Sequence, residues 1–215
     1  MIQKNDNTDN FVLAPRDKYN QVNHTVVFID IVGFTQGEKS NEELLSCIAK
    51  FEQQFWFVFD PKEYWGERPE ERDYHPNTMI VLPTGDGLAI GFDPAKQDTE
   101  ILSYVRELHK KVTREGITIR IGVNRGECYV VRDVNGRENL VGWGIVYAQR
   151  IMDIAQDNQI LCSASFAQPV CLAHKIKELH HIPTPQKIKH AETADVYNYY
   201  KEEEFGNKNL PLSKY

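Results

Sequence analysis

The stretch at 26–35, VVFIDIVGFT, sets an acid inside a strongly apolar run. Strand side chains alternate between faces, so Asp30 shares its face with Phe28 and Val26, while Val27, Ile29 and Ile31 take the other. An unpaired carboxylate in such a place is costly. Three arrangements relieve it: a strand end facing solvent, a partner cation or a bound metal. The first and the last make Asp30 a site residue, and the rest of the chain has to decide.

The apolar pattern around this strand, read over about 24–31, is that of an α+β fold. From Asn41 to Phe59 apolar residues fall at Leu44, Ile48, Phe51, Phe55 and Phe59, which predicts a helix capped by Ser40 or Asn41. Trp56 and Phe57 widen its apolar stripe, as core contact or as a surface for another subunit. Residues 78–93, TMIVLPTGDGLAIGFD, read as two strands about a tight turn. A helix from about Asp98 to Glu115 stops at Gly116; ITIRIGVNRG and then ECYVVRDV read as strands, with Asn135-Gly136 as a turn. A third helix starts near Gly144 and runs through IVYAQRIMDIA, followed by the strand QILCSAS, a short helix over 166–179 and strand material around 187–200. This order fits a ferredoxin-like βαββαβ core with a C-terminal αβ extension.

The expected organisation is a polar N-terminal arm over 1–22, a domain over 23–200 and a tail over 201–215, with a loop or insertion at 61–77. The 215 residues are enough to bury roughly 70% of the unfolded surface. A net charge of −6 argues against a nucleic-acid surface driven by phosphate attraction, so a phosphate-bearing substrate needs local cations. Cys47, Cys128, Cys162 and Cys171 form no C-x-x-C pair and read as reduced thiols of a cytoplasmic protein. No apolar run is long enough to span a bilayer, and the seven histidines show no metal-ligand spacing.

Asp30 and Asp86 each stand where a strand meets a glycine-containing turn, D-I-V-G and G-D-G. In a β-α-β-β core those two points can lie side by side, and two adjacent carboxylates repel unless a divalent cation joins them; hard oxygen donors suit Mg²⁺ or Mn²⁺. On spacing alone a capping Asp30 and a plain turn Asp86 are equally good readings.

FIDIVGFT, PTGDGLAIGF, IRIGVNRGE and LVGWGIVYAQRIMDIAQDNQILCSAS together resemble, in order and at suitable distances over roughly 24–165, the signatures of class III nucleotidyl cyclases. The resemblance implies a domain that uses two Mg²⁺ or Mn²⁺ ions to turn a nucleoside triphosphate into a 3′,5′-cyclic monophosphate and pyrophosphate. It implies that Asp30 and Asp86 hold the metals and that Ile31 lends a backbone carbonyl. Gly33, Phe34 and Thr35 match the turn whose amides cradle the triphosphate, and Arg150 matches the arginine that stabilises charge on the α-phosphoryl group. In that family the arginine serves the metal site of a partner subunit, so a homodimer with composite sites is expected, with Trp56 and Phe57 as interface candidates. Lys189, with Lys187 as alternate, matches a lysine that contacts the triphosphate.

Three positions depart from the purine cyclases. The asparagine usual four residues before the arginine is Val146, and Tyr147, three residues before Arg150, is placed to supply the missing polar contact. The two base-reading positions hold Leu82 and Asn139. Leu82 offers no hydrogen bond, and Asn139 has the donor and acceptor to satisfy the edge of uracil or of cytosine. The chain thus looks like the pyrimidine cyclases of bacterial Pycsar antiphage systems, whose cyclic UMP or cyclic CMP activates a separate effector.

Overall fold

The computed structural model describes residues 21–34, 37, 39–59 and 79–213. Thr35, the loop at 61–77 and the arm before Gln21 lie outside them.

Strand β1 (Gln21–Ile31) leads into helix α1 (Asn41–Phe59), the hairpin of β2 (Met79–Pro83) and β3 (Gly87–Phe92), helix α2 (Asp98–Arg114) and strand β4 (Ile119–Arg132). This is the expected βαββαβ unit. The extension adds β5 (Glu138–Val141), α3 (Trp143–Asp153), β6 (Ile160–Ser163), α4 (Ala164–His174), β7 (Leu179–His181), β8 (Gln186–Lys187), a 3₁₀ turn (Lys189–Ala191), β9 (Thr193–Ala194) and β10 (Val196–Tyr199). Among the described residues the main sheet runs β2-β3-β1-β4-β6-β10-β7, with β5 paired to β4. Helix α1 starts as a capping box: Glu43 N–H donates to Ser40 Oγ at 3.2 Å, and Ser40 N–H donates to Glu43 Oε2 at 2.8 Å.

Alternation along β1 decides what covers each face of the sheet. Val27, Ile29 and Ile31 join a core with Phe51 and Phe55 of α1, the apolar side of α2 (Ile101, Val105, Leu108) and Phe166 of α4. Val26 and Phe28 point the other way, onto Ala148 and Met152 of α3. Helix α3 lies close on the sheet because β4 offers no side chain at Gly122, where a Cβ would stand 2.3 Å from the Ala148 carbonyl oxygen and 2.5 Å from the Met152 nitrogen. Asp30, on the face of Val26 and Phe28, therefore looks toward the side of the sheet that α3 occupies.

Two expectations need correction. ITIRIGVNRG and ECYVVRDV are one strand, because β1 pairs with β4 without interruption from Ile31↔Ile119 to Gln21↔Tyr129, and a continuous ladder overrides the apparent break at Gly126. The helix expected at 166–179 is Ala164–His174, closed by Lys175 in the left-handed conformation (φ 51°). The thiols are free, with Cys128 and Cys162 buried, and burial raises the pKa of Cys128, Cys162 and Cys171, keeping them protonated. No described helix is long and apolar enough to cross a membrane.

His109 of α2 is buried with Nε2 3.1 Å from the Asn158 carbonyl oxygen, and burial pushes the imidazole down to about 4. The unfolded chain takes up this proton near pH 6.5 and the folded chain only near 4, so stability is full above 6.5 and falls as pH drops between the two values, by about 3 kcal/mol. The urea midpoint should fall across that window, and the slope should be smaller in His109→Gln.

Candidate active site

The adjoining ends of β3, β1 and β4 meet at Asp30. It stands opposite Gly87 of β3 on one side and Arg120 of β4 on the other. The Ile31 N–H donates to the Asp86 carbonyl oxygen at 2.9 Å, which brings the G-D-G turn against the end of β1. Gly87 permits that approach: a Cβ there would lie 2.0 Å from the Ile29 carbonyl oxygen. Next along, the Val32 N–H donates to the Thr118 carbonyl oxygen at 2.9 Å.

Asp30 is 15% exposed and bonded to Arg120, whose Nε lies 3.1 Å from Oδ2 and whose Nη2 contacts the same oxygen. Its pKa is nevertheless raised. Burial is the largest cause, the Arg120 hydrogen bond and charge oppose it, and the carboxylates of Asp86 and Asp153 push it further up. Asp30 thus combines two of the three reliefs open to it, a strand end and a cation. Among the described residues no three His, Cys, Asp or Glu side chains converge on one metal position. The donor set is two carboxylates with nearby backbone oxygen, which fits a hard ion that keeps water and substrate phosphate among its ligands.

The turn after β1 holds Gly33 at φ 67°, and Phe34 packs on the α1–α2 core. The Phe34 N–H has a long 3.4 Å bond to the Ile31 carbonyl oxygen, and the Lys39 ammonium donates to the Gly33 carbonyl oxygen at 2.5 Å.

A second group of charges stands on α3 and the turn at 189–192. Arg150 is 7% exposed, and its Nη1 donates to Glu192 Oε2 at 2.6 Å. Lys189 Nζ is 2.5 Å from Asp153 Oδ2. Tyr147 is half-buried against Ile151, Ile188 and Val196, and its pKa is raised by burial and then by the charges of Glu192 and Asp195. Asp153 links the two groups, since its charge acts on Asp30. Arg150, by contrast, is turned to Glu192 within its own chain.

Leu82 on β2 and Leu140 on β5 belong to the apolar cluster under α3, and half-buried Asn139 precedes Leu140 on β5, which packs against β2. By strand alternation Asn139 takes the face of β5 opposite to Leu140, so only Leu82 of the two positions singled out in the sequence lies in this cluster. Trp56 packs on the core and Phe57 carries the Lys111 ammonium 3.7 Å from its ring centre. Exposed apolar side chains on or just ahead of the helix that carries Arg150 are Val141, Trp143 and Val146.

Sequence reasoning passed over Arg120, Asp153, Glu192 and Trp143. Arg120 had a signal: in I-R-I-G-V it is a charged residue on an apolar strand, as Asp30 is. Glu192 had none, because its proximity to Arg150 depends on a hairpin and a left-handed His190 (φ 66°) that sequence spacing does not show.

No protein-family model matches this chain, and no curated protein matches it. Solved structures do. The guanylate cyclase domain of RhGC from Catenaria anguillulae, in complex with GTP, superposes with a TM-score of 0.61 at 21% identity over 84% of this chain and 98% of that one. The adenylyl cyclase CyaB from P. aeruginosa gives 0.64 at 19% identity over 88% and 100%. An adenylate cyclase from Trypanosoma brucei in its monomeric state gives 0.65 at 13% identity over 89% and 93%. This chain therefore has the α+β fold of the class III adenylyl and guanylyl cyclase catalytic domains.

Proposed function

We propose that this protein is a pyrimidine nucleotide cyclase that converts UTP or CTP to the 3′,5′-cyclic monophosphate and pyrophosphate, making a second messenger for antiviral defence that a separate effector reads. The observation that carries the chemistry is the juxtaposition of Asp30 and Asp86 at one strand end, in a fold shared with cyclases, beside a helix that bears Arg150.

In this reading Asp30, Asp86 and the Ile31 carbonyl hold two Mg²⁺ or Mn²⁺ ions. When bound, the ions supply activation of the ribose hydroxyl and charge neutralisation at the triphosphate. Arg120 stabilises the Asp30 carboxylate from the neighbouring strand. The turn of Gly33 and Phe34 offers backbone N–H groups to the phosphates, the role that the resemblance extends to Thr35. Arg150 donates to the α-phosphoryl oxygens as negative charge builds there, a task suited to a planar and permanently charged group. Tyr147 orients the ribose in place of the asparagine that Val146 replaces, and Lys189 contacts the triphosphate after leaving Asp153.

The resemblance to class III cyclases assigns Arg150 to the site of a second copy; within its own chain it pairs with Glu192. The exposed Val146, four residues before Arg150 on α3, and Val141, just ahead of that helix, support such a homodimer, as apolar surface on the element that carries the arginine. Leu82 and Asn139 support a pyrimidine, since an apolar wall and one amide suit a single ring. A purine substrate is the second reading, favoured by the cyclases named above, one of which is in complex with GTP.

Incubation with Mn²⁺ and each of ATP, GTP, CTP and UTP, followed by mass spectrometry, separates these. A cyclic pyrimidine nucleotide is expected. A cyclic purine would overturn the base assignment, and no product from any of the four would overturn the enzyme reading in favour of a nucleotide-binding module. Arg150→Ala should retain nucleotide binding and lose on the order of 10²-fold or more in kcat, as for a lost transition-state donor. Without nucleotide, Mn²⁺ should raise the melting temperature of the native protein and leave that of Asp30→Ala unchanged, because only an ion bound to the folded state stabilises it. An equal rise in both would place the ion elsewhere.

A further inference from the structure

Arg150 is held from two sides. Its Nη1 donates to Glu192 at 2.6 Å, and its Cζ stands 5.2 Å from the centre of the Trp143 ring. Trp143 precedes it by seven residues, about two helical turns, so both side chains rise from one face of α3. The two restraints differ in kind. An indole face holds a guanidinium by attraction to its π cloud and by stacking, while a carboxylate fixes one N–H direction.

We infer that Trp143 and Glu192 are positioning residues, a clamp that presents the Arg150 guanidinium in one orientation to the phosphoryl group. Three features point beyond an ordinary surface ion pair. The Arg150 side chain is 9% exposed whereas Glu192 is 48% exposed, so the cation is set in the protein and the anion reaches it from the rim. Trp143 is 65% exposed, an unusual place for so large an aromatic, and its ring is given to Arg150. The turn that carries Glu192 is pinned independently of Lys189, since the Ile188 N–H donates to the Glu192 carbonyl oxygen at 2.9 Å; in the resting chain Lys189 also pairs with Asp153 at 2.5 Å. Arg150 and Asp153, three apart on α3, therefore meet Glu192 and Lys189, three apart on the turn, with opposite signs facing. A guanidinium has five N–H donors in a fixed fork, so a bond from Nη1 to Glu192 and a ring on one face still leave an edge for phosphate oxygens.

The inference rests on the reading of Arg150 as the α-phosphoryl cation, and it makes a prediction that a competing carboxylate does not. If Glu192 merely blocked Arg150, removing it would raise kcat/KM. If it positions Arg150, Glu192→Ala and Trp143→Ala should each lower kcat by about 10- to 100-fold, the size typical of losing an outer-shell partner, with no rise in KM. Glu192→Gln, which keeps the shape and one acceptor, should recover part of the loss. Kinetics would use the Mn²⁺ complex of UTP, or of whichever triphosphate the four-way assay turns over, with melting temperatures confirming that the variants fold.

A second readout needs no turnover. In ¹⁵N-arginine-labelled native protein without nucleotide, the two Arg150 ¹⁵Nη signals, assigned by their loss in Arg150→Lys, should be separate because rotation about Nε–Cζ is restrained; in Glu192→Ala they should merge. Merged signals in the native protein, no change in Glu192→Ala, or native kcat in both alanine variants would overturn the clamp. Full turnover by Arg150→Ala would instead overturn the role given to the arginine, while the resonance result would still decide whether Glu192 restrains it.

Discussion

The structure turns on one carboxylate that an apolar strand does not want. Asp30 ends β1 on the side of the sheet that α3 occupies, and Arg120 stands directly across from it on β4. Removing water from such a pair costs about as much as their attraction returns, and an apolar pair of the same size often serves stability as well or better. The pair is thus poorly explained as a device for stability. It is well explained as the resting partner of a metal-binding acid, because a guanidinium holds the charge that burial, Asp86 and Asp153 all oppose.

The same logic extends to the cations. Arg150 is covered by Glu192, and Lys189 lies against Asp153, so the charges that a triphosphate and its metal ions would engage are met within the chain. Asp30 and Asp86 stand at the sheet end, and Arg150 and Lys189 stand on α3 and the turn at 189–192. A substrate that is strongly anionic and metal-bound matches both halves: its ions suit the acids and its phosphates suit the cations. In the proposed homodimer the two halves come from different copies.

Much of this was legible in the sequence because it follows from short-range rules. Alternation along VVFIDIV assigns Asp30 to the face of Val26 and Phe28, and the helical stripe from Leu44 to Phe59 marks α1 to the residue. Tight turns announce themselves through glycine, so the G-D-G position was also readable. What escaped depends on pairing at a distance. Nothing in R-G-E-C says that β4 continues unbroken past Gly126, since that continuity comes from the length of β1 opposite. Nothing near residue 192 says that its carboxylate meets a helix more than 40 residues earlier, because a left-handed His190 and a hairpin of two short strands bring it there.

The claim at the centre is that the acids of one copy and the arginine of another form a single reaction centre. Mixing two inactive variants, Asp30→Ala and Arg150→Ala, tests it most directly. A shared dimer then contains one site with both Asp30 and Arg150 intact and one with neither. Equal amounts that exchange subunits freely should recover about a quarter of native cyclase activity, since half of the dimers are mixed and each mixed dimer has one good site of two. Activity that stays at the sum of the two variants, with exchange verified by mass spectrometry of the dimers, would contradict the composite site.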